Sequence, residues 1–168
     1  MSKVAVIVTD LVEDVEYTSP VEALQQAGQQ VVTISFDGKN ELTGKHGTKI
    51  KVNQGISEVK PEDFDALLIP GGFSPDQLRA DEKFVDFVKA FLLADKPTFA
   101  ICHGPQLFIQ TGLVKDRVMT AFKTVKPDLY YAGARVKDQP VVIDDQLITS
   151  RTPDDLPDFN KAIVTALK

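Results

Sequence analysis

Thr98-Phe99-Ala100-Ile101-Cys102-His103-Gly104-Pro105 changes character halfway along, and the rest of the chain can be read outward from that change. The first four residues are an uncharged, mostly apolar run. A continuous run, unlike an alternating one, suits a strand covered on both faces. Gly104-Pro105 ends it, and residues 106–110 read as helix, so Cys102 falls on a strand-to-helix turn. Similar runs occur at Val4-Ala5-Val6-Ile7-Val8, Val31-Val32-Thr33-Ile34, Ala66-Leu67-Leu68-Ile69 and Leu147-Ile148-Thr149. Helical stretches lie between them. One closes near Ala27-Gly28. Another places Phe84, Phe87, Val88, Phe91 and Leu92 on one face, and the last carries Leu156, Phe159, Ile163, Ala166 and Leu167 on a stripe. Strands alternating with helices predict an α/β domain around a mostly parallel sheet.

Two segments depart from that alternation. Residues 43–52, with Gly44 and Gly47, predict a small hairpin inserted in the frame. Val141-Val142-Ile143 and Gln146-Leu147-Ile148 predict a second, with Asp144 and Asp145 in its turn. The first helix has two candidate starts. Ser19-Pro20-Val21-Glu22 is a capping box with Pro at the first helical position, and Asp10-Leu11-Val12-Glu13 is a weaker box nine residues earlier. No linker, repeat or charge block interrupts residues 1–168, which are expected to form one domain.

Composition narrows the function classes. The 168 residues carry 19 Lys+Arg against 24 Asp+Glu, a net charge of −5, which argues against a nucleic-acid partner. No apolar stretch is long enough to span a membrane, and no signal peptide is visible, so no membrane partner and a cytoplasmic location are expected. A single cysteine forbids an internal disulfide. With two histidines and no Cys/His cluster, no metal is expected, and no nucleotide-binding motif is present; the expected cofactor set is none.

The chemistry is expected at the strand ends. A lone cysteine is ordinarily a small buried hydrophobe. Cys102, however, sits where hydrolases hold a nucleophile at a strand-to-helix elbow, and a helix N-terminus there would lower its pKa. His103 is placed to act as base or charge partner. Pro70-Gly71-Gly72 follows another strand; it is either a plain turn or a source of oxyanion N–H groups. Glu13-Asp14-Val15-Glu16 is either a solvated helix start or a carboxylic acid brought beside the thiol. His46, in Gly44-Lys45-His46-Gly47, reads as an exposed or satisfied loop residue.

Together, Glu13-Asp14-Val15-Glu16, Thr43-Gly44-Lys45-His46-Gly47, Ile69-Pro70-Gly71-Gly72, Ala100-Ile101-Cys102-His103-Gly104-Pro105 and Thr149-Ser150-Arg151 resemble the PfpI family. That family comprises intracellular proteases, general stress proteins and glyoxalase III-like enzymes of the class I glutamine amidotransferase-like superfamily. The resemblance implies a flavodoxin-like three-layer α/β sandwich with small hairpin insertions. It implies Cys102 as nucleophile with His103 beside it, Glu16 hydrogen-bonded to the thiol, and Glu13 as a companion acid. Gly72 and His103 would supply oxyanion N–H groups, with Lys45 near the pocket. Protease-like members orient the histidine with a Glu from a neighbouring subunit; the matching residue here is Asp76, one methylene shorter. Relatives that use a later histidine carry it near the position held here by Ala121. A homo-oligomer, at least a dimer, is implied.

Three functions are therefore expected to compete. The first is a glutathione-independent glyoxalase or deglycase, with Cys102 attacking a small carbonyl substrate. The second is a cysteine peptidase or amidase acting on short peptides through Cys102, His103 and Asp76 of another subunit. The third is a stress protein without turnover, in which Cys102 senses oxidant. The absence of a histidine at Ala121 and the shorter Asp76 favour the first.

Overall fold

The computed structural model describes residues 1–168. In chain order its strands are β1 (Lys3–Ile7), β2 (Gln30–Ser35), β3 (Glu41–Thr43), β4 (Lys49–Lys51), β5 (Gln54–Gly55), β6 (Ala66–Ile69), β7 (Thr98–Ile101), β8 (Val118–Met119), β9 (Arg135–Val136), β10 (Val141–Asp144) and β11 (Leu147–Ser150). The helices are α1 (Asp14–Gln26), α2 (Ser74–Leu78), α3 (Glu82–Leu93), α4 (Gln106–Ile109), α5 (Lys126–Tyr131) and α6 (Leu156–Ala166).

Every continuous apolar run becomes a strand of one seven-stranded sheet, ordered β10-β11-β7-β6-β1-β2-β5. All its pairings are parallel except β10 with β11. Taken in chain order, the five longer parallel strands run 2-1-3-4-5, the flavodoxin-like order. Its crevice opens at the carboxyl ends, where the first and third strands part.

The runs are continuous because both sheet faces are covered. Ala5 and Ile7 of β1 join one core with Phe84, Phe87, Val88 and Phe91 of α3 and Phe108 of α4. Val4 and Val6 point the other way, into a core with Leu24 of α1 and Phe159 and Ile163 of α6. The predicted helical stripes are the surfaces that meet the sheet, except that Ala166 is exposed in the last turn of α6.

The first helix follows the earlier alternative, starting ahead of Ser19 and directly after the Asp10–Glu13 box. It begins at Asp14, with Glu13 as its N-cap residue, and Pro20 lies inside it. Pro20 has no N–H for the Glu16 carbonyl, but Pro20, Val21 and Leu24 are all buried, which offsets that loss. Ser19, the expected cap, instead accepts a hydrogen bond from the Asn160 amide at 2.8 Å, tying α1 to α6.

The inserted hairpin is present as β3 and β4, antiparallel. The second hairpin needs correction. Asp144 is not in the turn but ends β10, because its carboxylate accepts hydrogen bonds from Arg117 Nε at 2.9 Å and the Val118 N–H at 2.8 Å. The turn is Asp145-Gln146, with Asp145 at φ 53°. At the end of the sheet away from the crevice, the Gln29 side chain accepts from the Ser2 N–H at 2.5 Å and donates to the Leu167 carbonyl at 3.4 Å. No helix is long and apolar enough to cross a membrane.

Candidate active site

Three adjacent strands, β7, β6 and β1, deliver the site from their carboxyl ends. Beyond β7, Cys102 adopts φ +62°, the left-handed region that a side chain ordinarily avoids. Two backbone bonds hold it there. Its N–H donates to Ser150 O at 3.0 Å, and its carbonyl accepts from the Phe122 N–H at 2.9 Å. This is the strained elbow that the sequence predicts.

Beyond β6, the Gly71 N–H donates to Glu16 Oε1 at 2.9 Å, and a Cβ on Gly71 would lie 2.4 Å from that same oxygen. Gly72 has φ +71°, and a Cβ there would fall 2.3 Å from the Glu13 nitrogen. Glycine at both positions lets the β6 loop close onto the start of α1. The Phe73 N–H to Leu11 O bond, 2.9 Å, and the Thr9 N–H to Ser74 Oγ bond, 2.9 Å, seal that closure.

Beyond β1, α1 carries both acids. Glu16 is fully buried, whereas the Glu13 side chain is 19% exposed and makes no capping bond to its own helix. Lys45 Nζ stands 3.5 Å from Glu13 Oε2, and His46 Nε2 stands 2.9 Å from Glu13 Oε1. The β3–β4 turn that brings them is held by Asp14, which accepts the His46 and Thr48 N–H groups. Against the cost of burial, hydrogen bonds from Thr48 and His46 hold the Asp14 carboxyl below its ordinary range.

These loops enclose a cavity of about 560 Å³ whose lining includes each residue to which the resemblance gives a role: Cys102, His103, Glu16, Glu13, Lys45, Gly72 and Asp76. Asp76, expected to act on a neighbouring subunit, already lines the cavity of its own chain, exposed and without a hydrogen bond to His103. Leu11, Phe73, Gln106, Phe122 and Pro153 complete the wall. Phe122 stacks on the His103 ring with centroids 4.8 Å apart, a contact without a local sequence signal. Arg151 stays outside the wall. It grips Asp155 at 2.9 and 3.0 Å and so fixes the turn that presents Pro153. No group of three or more His, Cys, Asp or Glu side chains is placed to hold a metal ion.

The electrostatics correct one expectation. The Cys102 thiol is pushed up, first by burial and then by the Glu16 carboxyl whenever that group is ionised. The helix that was to lower it, α4, is a single turn beginning four residues later. Burial also pushes the Glu16 carboxyl up to about 8, with the Cys102 thiol and the Gly71 N–H acting in the opposite direction as hydrogen-bond partners. Glu16 Oε2 has no partner that meets full hydrogen-bond geometry. At neutral pH Glu16 therefore keeps its proton, and a neutral Glu16 is a donor to a thiolate where an ionised one would repel it. His103 is pushed down by burial and by the Lys45 charge, so its ring is neutral, with Nδ1 3.4 Å from Cys102 Sγ. The Gly72 and His103 N–H groups donate to no backbone carbonyl, and the His103 N–H is directed at the sulfur. The arrangement supplies a nucleophile, a proton-holding acid, a neutral base and free N–H donors around one cavity.

Known proteins are similar to this chain over its full length. The DJ-1/PfpI family model matches residues 2–166. The chain is 54% identical over 166 residues to a Bacillus subtilis protein named "Putative cysteine protease YraA", covering 99% of this chain and 98% of that one. It is also 54% identical over 168 residues to an uncharacterized Staphylococcus aureus protein, with the same coverage. A two-domain Anabaena variabilis protein containing DJ-1/ThiJ/PfpI-like and ferritin-like domains superposes with a TM-score of 0.96 at 36% identity, over 99% of this chain and 48% of that one. Schizosaccharomyces pombe DJ-1 has the same fold, with a TM-score of 0.90 at 22% identity, over 99% of this chain and 92% of that one.

Proposed function

The chain belongs to the DJ-1/PfpI family, and on that premise we propose that it is a cysteine-dependent enzyme converting reactive α-ketoaldehydes to hydroxy acids without glutathione. The observation that carries this reading is Glu16, a fully buried acid that holds its proton beside Cys102 and has one carboxyl oxygen unpartnered. Such a group suits a reaction that moves protons between neighbouring carbons.

With methylglyoxal, neutral His103 takes the thiol proton as the Cys102 sulfur adds to the aldehyde carbon. The new alkoxide, held by the Gly72 and His103 N–H groups, takes the proton of Glu16. The resulting carboxylate removes the hydrogen from the former aldehyde carbon and returns it to the adjacent carbonyl carbon, while the hydroxyl proton on the first carbon passes to the oxygen of the second. The first carbon is oxidised to a thioester and the second is reduced to an alcohol, so no external redox partner is needed. His103 passes the thiol proton to Glu16 and, neutral again, deprotonates the water that cleaves the thioester to lactic acid, returning that proton to Cys102.

Lactate formation from methylglyoxal without glutathione tests this. Turnover should be lost in Cys102→Ser and reduced at least about a hundredfold in Glu16→Gln, which keeps the acceptor for Gly71 but cannot give up a proton. Turnover that survives Cys102→Ser overturns the reading.

Peptide or amide cleavage is the second reading. It is supported by the name of the Bacillus subtilis relative and by Asp76 lining the same cavity as His103. It requires cleavage of short peptide amides that falls in Asp76→Asn, whereas lactate formation should not depend on Asp76.

A further inference from the structure

The sequence reads His46 as an exposed or satisfied loop residue, and its ring meets a cavity carboxylate. His46 Nε2 lies 2.9 Å from Glu13 Oε1, and Lys45 Nζ lies 3.5 Å from the other oxygen. The turn carrying both is rigidly placed. Asp14 accepts the His46 and Thr48 N–H groups at 2.9 Å each, and the Lys45 N–H donates to Val12 O at 2.9 Å. Gly44 lies so close that a Cβ would be 2.4 Å from Asp14 Oδ1. The His46 side chain is 64% exposed and that of Glu13 19%, so the pair spans the cavity wall from solvent to interior. On the inner side, the charge of Glu13 acts against ionisation of Cys102.

We propose that His46 is a positioning residue of this site: with Lys45 it clamps the Glu13 carboxylate, and its charge sets how strongly Glu13 opposes a thiolate on Cys102. Protonated His46 offsets the Glu13 charge and favours the thiolate. That offset lasts only while the ring is charged, so with rising pH Cys102 gains less reactivity than an isolated thiol would. Glu13 is faced by Lys45 and His46 from the β3–β4 turn and by Glu16 from its own helix. Cys102 and His103 face it from the elbow, and Asp76 from α2 across the cavity. Several of these groups titrate, so the comparison must isolate His46.

The inference rests on Cys102 as the nucleophile of the proposed reaction, but its test needs no turnover. The probe is the second-order rate of Cys102 alkylation by iodoacetamide, followed from about pH 5.5 to about pH 9 in the wild type and in His46→Gln. The variant should react about threefold or more slowly at the acid end and converge on the wild type at the alkaline end, where both side chains are neutral. In a Glu13→Gln background the same substitution should leave the ratio flat. A ratio that is constant across pH marks a merely structural role and overturns the proposal, as does no difference at any pH. Should His46→Gln fail to fold, His46→Lys decides: its fixed charge should keep the alkylation rate near wild type at the acid end and above wild type at the alkaline end, and a ratio that does not change with pH overturns the proposal. A protein inert to methylglyoxal would remove the carbonyl reading while leaving the alkylation ratio to be judged by itself.

Discussion

Glu16 couples the chemistry of the site to the stability of the fold. Its carboxyl titrates at about 8 in the folded chain against an ordinary value of 4.5. Below the lower value both folded and unfolded chains hold the proton. Between the two only the folded chain holds it, so stability falls as pH rises and the loss is complete above the folded value. The loss is on the order of a few kcal/mol. Glu16→Gln should therefore match the wild type at about pH 5 and exceed its stability by on the order of a few kcal/mol at about pH 8.5, measured by urea unfolding. If the two proteins respond to pH alike, Glu16 does not hold its proton in the native state. At this scale the sequence was only partly legible. Cys102 could be found from its elbow, but the acidic run 13–16 left its role open until the resemblance picked out Glu13 and Glu16. His46 was missed because its contact with Glu13 spans 33 positions of sequence and depends on where the hairpin lies.

At the scale of elements, the site depends on how closely the loops after β6 and β1 approach. Gly72 is the point of contact, at φ +71° and with no room for a Cβ against Glu13. Gly72→Ala should destabilise the protein by about 2 kcal/mol or more, since it meets both a strained backbone and a backbone clash. It should also speed Cys102 alkylation, because the loop cannot give way without displacing Glu13, whose charge opposes the thiolate. Thermal unfolding and the alkylation rate check the two halves separately. Strand existence was legible wherever both faces were buried, since β1, β2, β6, β7 and β11 read as unbroken apolar runs. The two-residue strands β5, β8 and β9 are too short to carry a period. The start of α1 was legible only as two alternatives, for a different reason. Local capping chemistry favours Ser19, but packing of Pro20, Val21 and Leu24 outweighs it, and Ser19 is used to reach α6 instead.

At the scale of the molecule, the parallel order of five strands was foreseeable in kind but not in sequence. Alternating strands and helices imply a doubly wound sheet, while the adjacency of β1, β6 and β7 comes from long-range packing. That adjacency makes the site indifferent to how the three strands are joined, provided they keep their places. The Gln29 side chain bridges Ser2 and Leu167, so the two ends of the chain lie together at the edge away from the cavity. A short linker joining residues 168 and 1, with new termini opened at the Asp145-Gln146 turn, gives a circular permutant that leaves every cavity-lining segment intact. It should fold and alkylate at Cys102 at the wild-type rate. A permutant that folds but has lost that reactivity would mean that the register of β11, through its Ser150 bond to the Cys102 N–H, is set from its own hairpin and not from the sheet. The order of the chain would then be a passenger in this fold everywhere except at that one edge.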